Sequence, residues 1–270
     1  MLVCRLQACT EAIGCKTSCI NHYFCRNPLY LILQILEYVV QIVELEQVTK
    51  DYPLGKTEVH AVRGVSFSIA RGDFISIAGP SGSGKSTILN MIGCIDVPTS
   101  GSVTINGRHT SDLSDNEITR LRHKFVGFIF QSFNLIPVLN VYENIEFPLL
   151  LGAEVQKAPE RKRWVQYLIE EVGLTEWTRH RPTELSGGQR QRVAIARALV
   201  TKPELVLADE PTANLDSETS EGIIRLMKKV NSDMGTTFIF STHDQTIVDL
   251  ARHIIRLKDG LVEREYRKDG

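Results

Sequence analysis

The chain carries almost no net charge. Its 31 lysines and arginines face 32 aspartates and glutamates, leaving −1 at pH 7 and an isoelectric point near 6.7. A nucleic-acid binder concentrates basic side chains against phosphate backbones, and this balance offers no such excess, so no nucleic-acid partner is expected. Long apolar runs are also missing. The longest, residues 29–43 (LYLILQILEYVVQIV), is broken by Gln34, Glu37 and Gln41 and falls short of the ~20 mainly apolar residues a spanning helix needs. Those polar residues recur at steps of three and four, which would place them on one helical face. Such a segment lies on a membrane or partner surface, or turns its apolar side to a core.

Cysteine is nearly absent from the body of the chain. Five of the six (Cys4, Cys9, Cys15, Cys19, Cys25) fall within the first 25 residues, where His22 is the only histidine. The C-x₂-C pairs of a zinc or iron–sulfur site are lacking, as is the ordered n-region, h-region and cleavage site of a signal peptide. Residues 1–41 are therefore expected to be a poorly ordered extension, or the product of a start codon assigned too far upstream. One later cysteine, Cys94, suits a reducing cytoplasm and is expected to be a small buried residue.

What is present reads as a folded domain. The 270 residues are 43% hydrophobic and 23% charged, ordinary for a globular protein and enough for one large domain or two small ones. From Ile42 onward, strand and helix patterns alternate. An opening strand ends near Tyr52. AVRGVSFSIARGDFISIAG holds two strands about an Arg71-Gly72-Asp73 turn, the second covering Phe74–Ala78. A helix begins at Lys85, an Asn106-Gly107 turn signals a hairpin, and KFVGFIFQ (124–131) is expected to be a buried strand. Residues 132 to about 190 turn helical, notably over 160–172, where Trp164, Val165, Leu168, Ile169 and Val172 share a face. Strands resume at 204–208 and 236–241, and a last pair brackets Lys258-Asp259-Gly260. This is an α/β chain with a parallel-rich sheet, which puts helices on the sheet faces and a site at the strands' carboxyl ends.

The chemistry concentrates in a few strings. GPSGSGKST (Gly79, Pro80, Ser81, Gly82, Ser83, Gly84, Lys85, Ser86, Thr87) fits the phosphate-cradling pattern G-x-x-x-x-G-K-[ST] where a strand gives way to a helix. Its glycines let backbone amides turn toward phosphate oxygens, and the following helix adds its positive end. Lys85 is placed to reach the β- and γ-phosphates and Ser86 to ligate Mg²⁺. LVLADEP ends a buried strand in two acids, which need a charge to meet. Asp209 is expected on the Mg²⁺ side, and Glu210 is expected to polarise the attacking water. LSGGQ supplies Ser186, Gly187 and Gly188 at the start of another helix. That second positive end requires a second ligand or a second subunit, unless it is an ordinary serine-capped helix.

From about Ile42 to the C-terminus these strings together resemble the ATP-binding cassette (ABC) ATPases, the engine subunits of ABC transporters. The resemblance implies a phosphate-loop core with an antiparallel β subdomain and a helical insertion, using ATP and Mg²⁺. It implies that His243 contacts the γ-phosphate, that Gln131 senses Mg²⁺ and couples to the insertion, and that adenine stacks on Tyr52. It further implies a homodimer in which Ser186, Gly187, Gly188 and Gln189 of one cassette close over ATP held by the other, with Asp216 in the loop ANLD crossing the interface. Integral-membrane permease subunits are the expected partners, holding the cassette at the cytoplasmic face of the inner membrane. IFQSFNLIP and VYENIEFPLL resemble the branch of macrolide-exporter and lipoprotein-releasing ATPases. A soluble ABC ATPase acting on ribosomes or DNA is the alternative. Ribosomal members carry two cassettes per chain, however, and chromosomal ones a long coiled coil of which the stretch after Gln131 shows no heptads.

Overall fold

The computed structural model describes residues 40–55, 57–151 and 157–268. The chain divides into two units, Met1–Val40 and Gln41–Gly270. Every helix and strand among the described residues belongs to the second. The expectations for residues 1–39, including the five cysteines, lie outside the described residues. The strand expected from Ile42 opens one residue earlier, so Gln41, counted among the polar residues of a helical face, is strand together with Ile42 and Val43. Strand pairing with two neighbours claims their backbone groups.

Two sheets organise the unit. In the smaller, β1 (Gln41–Leu54) and β2 (Thr57–Ala70) form a hairpin about Gly55, and β4 (Ser100–Ile105) and β5 (Arg108–His109) extend it in the order β2-β1-β4-β5. All its pairings are antiparallel. Asn106 and Gly107 between β4 and β5 have φ of 49° and 72°, the two positive values a two-residue hairpin turn requires. β2 begins four residues earlier than AVRGVSFSIA suggests, which matters at the site.

The larger sheet runs β10 (Leu261–Arg267), β9 (His253–Lys258), β3 (Phe74–Ala78), β8 (Thr237–Thr242), β7 (Leu205–Asp209), β6 (Val126–Ile129). Every pairing is parallel except β10 with β9. Its helices are α1 (Lys85–Ile92), α2 (Asp115–Phe125), α3 (Val141–Leu150), α4 (Ala158–Glu171), α5 (Gly187–Leu199), α6 (Ser217–Met234) and α7 (Gln245–Leu250). Side chains alternate across this sheet, as pleating dictates. Phe74, Val206, Ala208, Phe238 and Phe240 pack into one core with α3 to α6. Ile75, Ile77, Leu205, Leu207 and Ile239 pack into another with α1 and the small sheet. Burial on both faces explains why these strands read as continuous apolar runs. Each fully buried Ile, Leu or Phe contributes about 1.5–3 kcal/mol.

The expected strand at 124–131 is shorter than its apolar run. Ser114 and Glu117 form a capping box that starts α2, and the helix continues through Lys124 and Phe125. β6 keeps four rungs with β7, Val126–Leu205 to Ile129–Ala208, so Gln131 lies two residues beyond the strand.

Candidate nucleotide site

Parallel pairing puts four strand ends on one edge. The phosphate loop follows β3, Gln131 follows β6, Glu210 follows β7 and His243 follows β8. They meet around a cleft of about 370 Å³, whose opposite wall is Val59, His60 and Ala61 of β2. Ser81, Gly82, Gly84, Lys85, Ser86 and Thr87 line the loop side.

Helix α1 starts without a side-chain cap. Gly84 occupies the cap position at φ 97°, and a Cβ there would lie 2.5 Å from the Ala61 carbonyl oxygen. The first-turn amides of a helix have no intrahelical acceptor, so this uncapped end presents donors and positive potential to an anion in the cleft. By contrast, Ser186, Asp216 and Asp244 cap α5, α6 and α7 with their side chains. Within the loop, Lys85 is 6% exposed. Its Nζ donates to the carbonyls of Gly79 (2.9 Å) and Pro80 (3.0 Å) and stands 3.9 Å from Glu210 Oε1. A buried ammonium needs such partners. A phosphate group offers the same kind of oxygen.

The acids are arranged as two separate devices. Ser86 Oγ donates to Asp209 Oδ1 at 3.0 Å, bringing a hydroxyl and a carboxylate oxygen to one point. That pair suits a hard divalent cation whose other ligands are water and phosphate oxygens. Glu210 takes the left-handed conformation at φ 45°, fixed by its amide donating to the Ser241 carbonyl at 2.9 Å. Its Oε1 lies 2.9 Å from His243 Nδ1. An ionised carboxylate only accepts, so Nδ1 carries the proton and Nε2 stays free at the cleft. A non-glycine residue at positive φ next to a cleft is the kind of strain that function retains.

Several sequence-predicted residues are not on the cleft wall. Tyr52 donates its hydroxyl to Asp96 Oδ2 at 2.7 Å, and Lys50 Nζ sits 5.0 Å from its ring centre. Burial and the Asp96 carboxylate raise its pKa. Ser186 and Gln189 satisfy each other in a capping box, Gln189 N to Ser186 Oγ at 3.2 Å and Ser186 N to Gln189 Oε1 at 2.8 Å. Within one chain, then, LSGGQ is the capped helix start that the simpler reading expects, and none of Ser186, Gly187, Gly188 or Gln189 lines the cleft. Gly188 is pressed on α6, where a Cβ would overlap Thr219 Cγ2. Asp216 accepts from the Thr219 amide (2.9 Å) and hydroxyl (2.7 Å), and these bonds hold its carboxyl below the usual pKa. Ser83 is 2% exposed and faces the protein. Cys94 is half-buried behind α1, and burial pushes its thiol up to about 11.

Sequence reasoning missed the β2 wall, because the strand pattern was legible only from Ala61. The usable signal is Gly55, which folds Thr57 onward back along Tyr52. Also missed is the Asn214 side chain, which donates to the Gln131 carbonyl at 3.1 Å and ties the loop after β7 to the loop after β6.

The family described as ABC transporter matches residues 62–213. An ABC transporter ATP-binding protein of Methanocaldococcus jannaschii, MJ0796, is 47% identical over 85% of this chain and 98% of its own length. Its dimeric structure in a post-hydrolysis state bound to ADP and Pi superposes with a TM-score of 0.79, over 84% of this chain and 99% of that one. The lipoprotein-releasing system ATP-binding protein LolD 1 of Rhodopseudomonas palustris is 41% identical over 83% of this chain and 99% of its length. The macrolide export ATP-binding/permease protein MacB of Bdellovibrio bacteriovorus is 43% identical, and the match spans 84% of this chain but only 34% of that protein. The chain belongs to the ABC transporter family, as its ATP-binding, ATP-hydrolysing cassette.

Proposed function

We propose that two copies of this cassette close head to tail on ATP and reopen after hydrolysis, driving integral-membrane permease subunits. The carrying observation is the division of the chain's two anion-binding helix ends. α1 opens uncapped into the cleft, whereas the Ser186–Gln189 turn stands outside it. A single chain therefore supplies half of a two-sided pocket. That the cassette MJ0796 has been solved as a dimer supports pairing of two copies. On closure, the Ser186 hydroxyl, which accepts from the Gln189 amide, donates its proton to a phosphate oxygen of the ATP held by the other copy, and Gly187 and Gly188 bring amides beside it. Asp216, fixed by Thr219, steadies the loop that crosses between copies.

In the cleft, the amides of Gly79, Ser81, Gly82, Ser83 and Gly84 and the Lys85 ammonium hold the phosphates, Pro80 shaping the loop and Thr87 closing the α-phosphate side. Tyr52 stacks on adenine. Glu210 accepts a proton from the water that attacks the γ-phosphate, while His243 bridges Glu210 and the γ-phosphate oxygens. Ser86, Asp209 and Gln131 would hold Mg²⁺, which when bound neutralises charge on the β- and γ-phosphates. Gln131 follows β6 on the way to α3, from where it would report nucleotide state to the insertion. No helix among the described residues is long and apolar enough to cross a membrane, in keeping with attachment through a permease at the cytoplasmic face. Similarity to MacB and LolD favours export or mechanical transmission.

The test combines two variants. Glu210→Gln with ATP should sediment as a dimer, and adding Ser186→Arg should return it to monomer. An ATP-dependent dimer that survives Ser186→Arg refutes the head-to-tail pocket. For the permease, ATPase stimulation on co-reconstitution with a membrane subunit that co-purifies with this chain is the expected result. Unchanged turnover refutes the coupling.

A further inference from the structure

The β2 wall of the cleft has a residue that no motif assigns. In the β1–β2 register Tyr52 pairs with Val59 and Asp51 with His60. One step further, the Ala61 carbonyl lies against Gly84 of the phosphate loop. From Val59 to Ala61 the strand thus runs from the Tyr52 end to the phosphate loop, about 6.6 Å for two residues. His60 stands between, where a nucleotide spanning those two points has its sugar and α-phosphate. The ring is oriented: Nδ1 lies 2.7 Å from Asp51 Oδ1. The side chain remains 59% exposed and lines the cleft. With the Asp51 carboxylate accepting at Nδ1, Nε2 is left for a ligand. With the proton on Nδ1, Nε2 accepts from a ribose hydroxyl.

We propose that His60 is a nucleotide-binding residue of this cassette, its Nε2 accepting from a ribose hydroxyl of ATP or ADP while Asp51 fixes the ring. This rests on the reading of Tyr52 as the adenine end. It adds to the phosphate loop a contact that recognises the nucleoside side of the ligand, so that a bare polyphosphate lacks it.

The experiment measures dissociation constants by calorimetry on the full chain, using ADP, a non-hydrolysable ATP analogue and inorganic tripolyphosphate. One hydrogen bond of ordinary strength corresponds to a roughly three- to tenfold change. His60→Ala should weaken ADP and the ATP analogue by that factor and leave tripolyphosphate unchanged. Asp51→Asn should fall between, and His60→Gln should recover part of the loss. The Michaelis constant for ATP should rise in step. Nucleotide affinities within twofold of wild type in His60→Ala overturn the proposal. So does a parallel loss for tripolyphosphate, which would locate the effect in the phosphate loop. A Tyr52→Ala variant separates the two readings. Unchanged ADP affinity there, with a loss in His60→Ala, overturns the adenine assignment and leaves the His60 contact standing.

Discussion

Replacing Glu210 by glutamine removes one charge and keeps the shape. The amide oxygen still accepts from His243 Nδ1, now 2.9 Å from Glu210 Oε1, and the amide N–H₂ takes the place of the oxygen 3.5 Å from the Thr242 hydroxyl. The backbone at φ 45° is untouched. What disappears is the ability to accept a proton from water. A positioned general base contributes about 10²- to 10⁴-fold, so the barrier should rise by roughly 3–5 kcal/mol at about 1.36 kcal/mol per tenfold. Binding should move the other way. Glu210 Oε1 stands 3.9 Å from Lys85 Nζ, a gross attraction of about 4 kcal/mol at an effective dielectric near 20, largely offset by the cost of desolvating both groups. Freed from that competitor, and without a carboxylate beside the γ-phosphate, Lys85 should hold ATP at least as tightly as before. Phosphate release and calorimetry on the same preparation check both halves. Turnover within tenfold of wild type would remove Glu210 from the base role, and a weakened ATP affinity would contradict the electrostatic argument.

Lys85→Ala deletes charge-assisted bonds worth about 1.5–3 kcal/mol, so ADP and ATP affinity should drop roughly 10- to 100-fold, and an unchanged dissociation constant counts against the phosphate assignment. Gly188→Ala drives a methyl into Thr219 Cγ2. Overpacking of this kind costs about 1–3 kcal/mol, a loss of several degrees in melting temperature for a domain of this size, and a variant melting with wild type would show that α5 and α6 separate freely. Cys94, with its thiol pushed up to about 11 by burial, should alkylate far more slowly at pH 8 in the folded protein than after unfolding, as peptide mapping would read. For Asp96, burial alone would raise the pKa, but bonds from Lys50, Tyr52 and the Val97 amide bring it below the ordinary value. Its contribution to stability is full above the unfolded pKa near ~3.9 and is lost as pH falls through the lower folded value. Asp96→Asn should flatten that acid limb of a melting profile, and an unaltered limb would discount the Lys50–Tyr52 anchor.

Much of the site was legible because its chemistry is written in contiguous residues. The loop from Gly79 to Thr87, the acids after LVLA and the histidine after FIFST each sit directly beyond an apolar strand, and parallel pairing leaves such residues on one edge. The branch strings likewise pointed to relatives of the kind named MacB and LolD. Boundaries were less legible. Phe125 and Val126 look alike as apolar residues, yet one ends α2 and the other opens β6, a distinction set by the Ser114–Glu117 cap at the helix's far end and by the four rungs that β7 offers. Gln41 read as part of a helix's polar face because amphipathic spacing cannot register its pairing with Ala70 of β2.

By itself, the order of residues determined the α/β class, the phosphate loop, the acid pair and the second glycine-rich helix start, since each depends on local spacing and backbone freedom. Only the tertiary structure decided which groups meet. It bonded His243 to Glu210 across 33 residues and Ser86 to Asp209 across 123, and it stood His60 of β2 opposite the loop. It also left the LSGGQ turn outside its own chain's cleft. Those outcomes turn on sheet order and strand register, which are settled by burying both faces of the central sheet at once, and no stretch of sequence carries that condition alone.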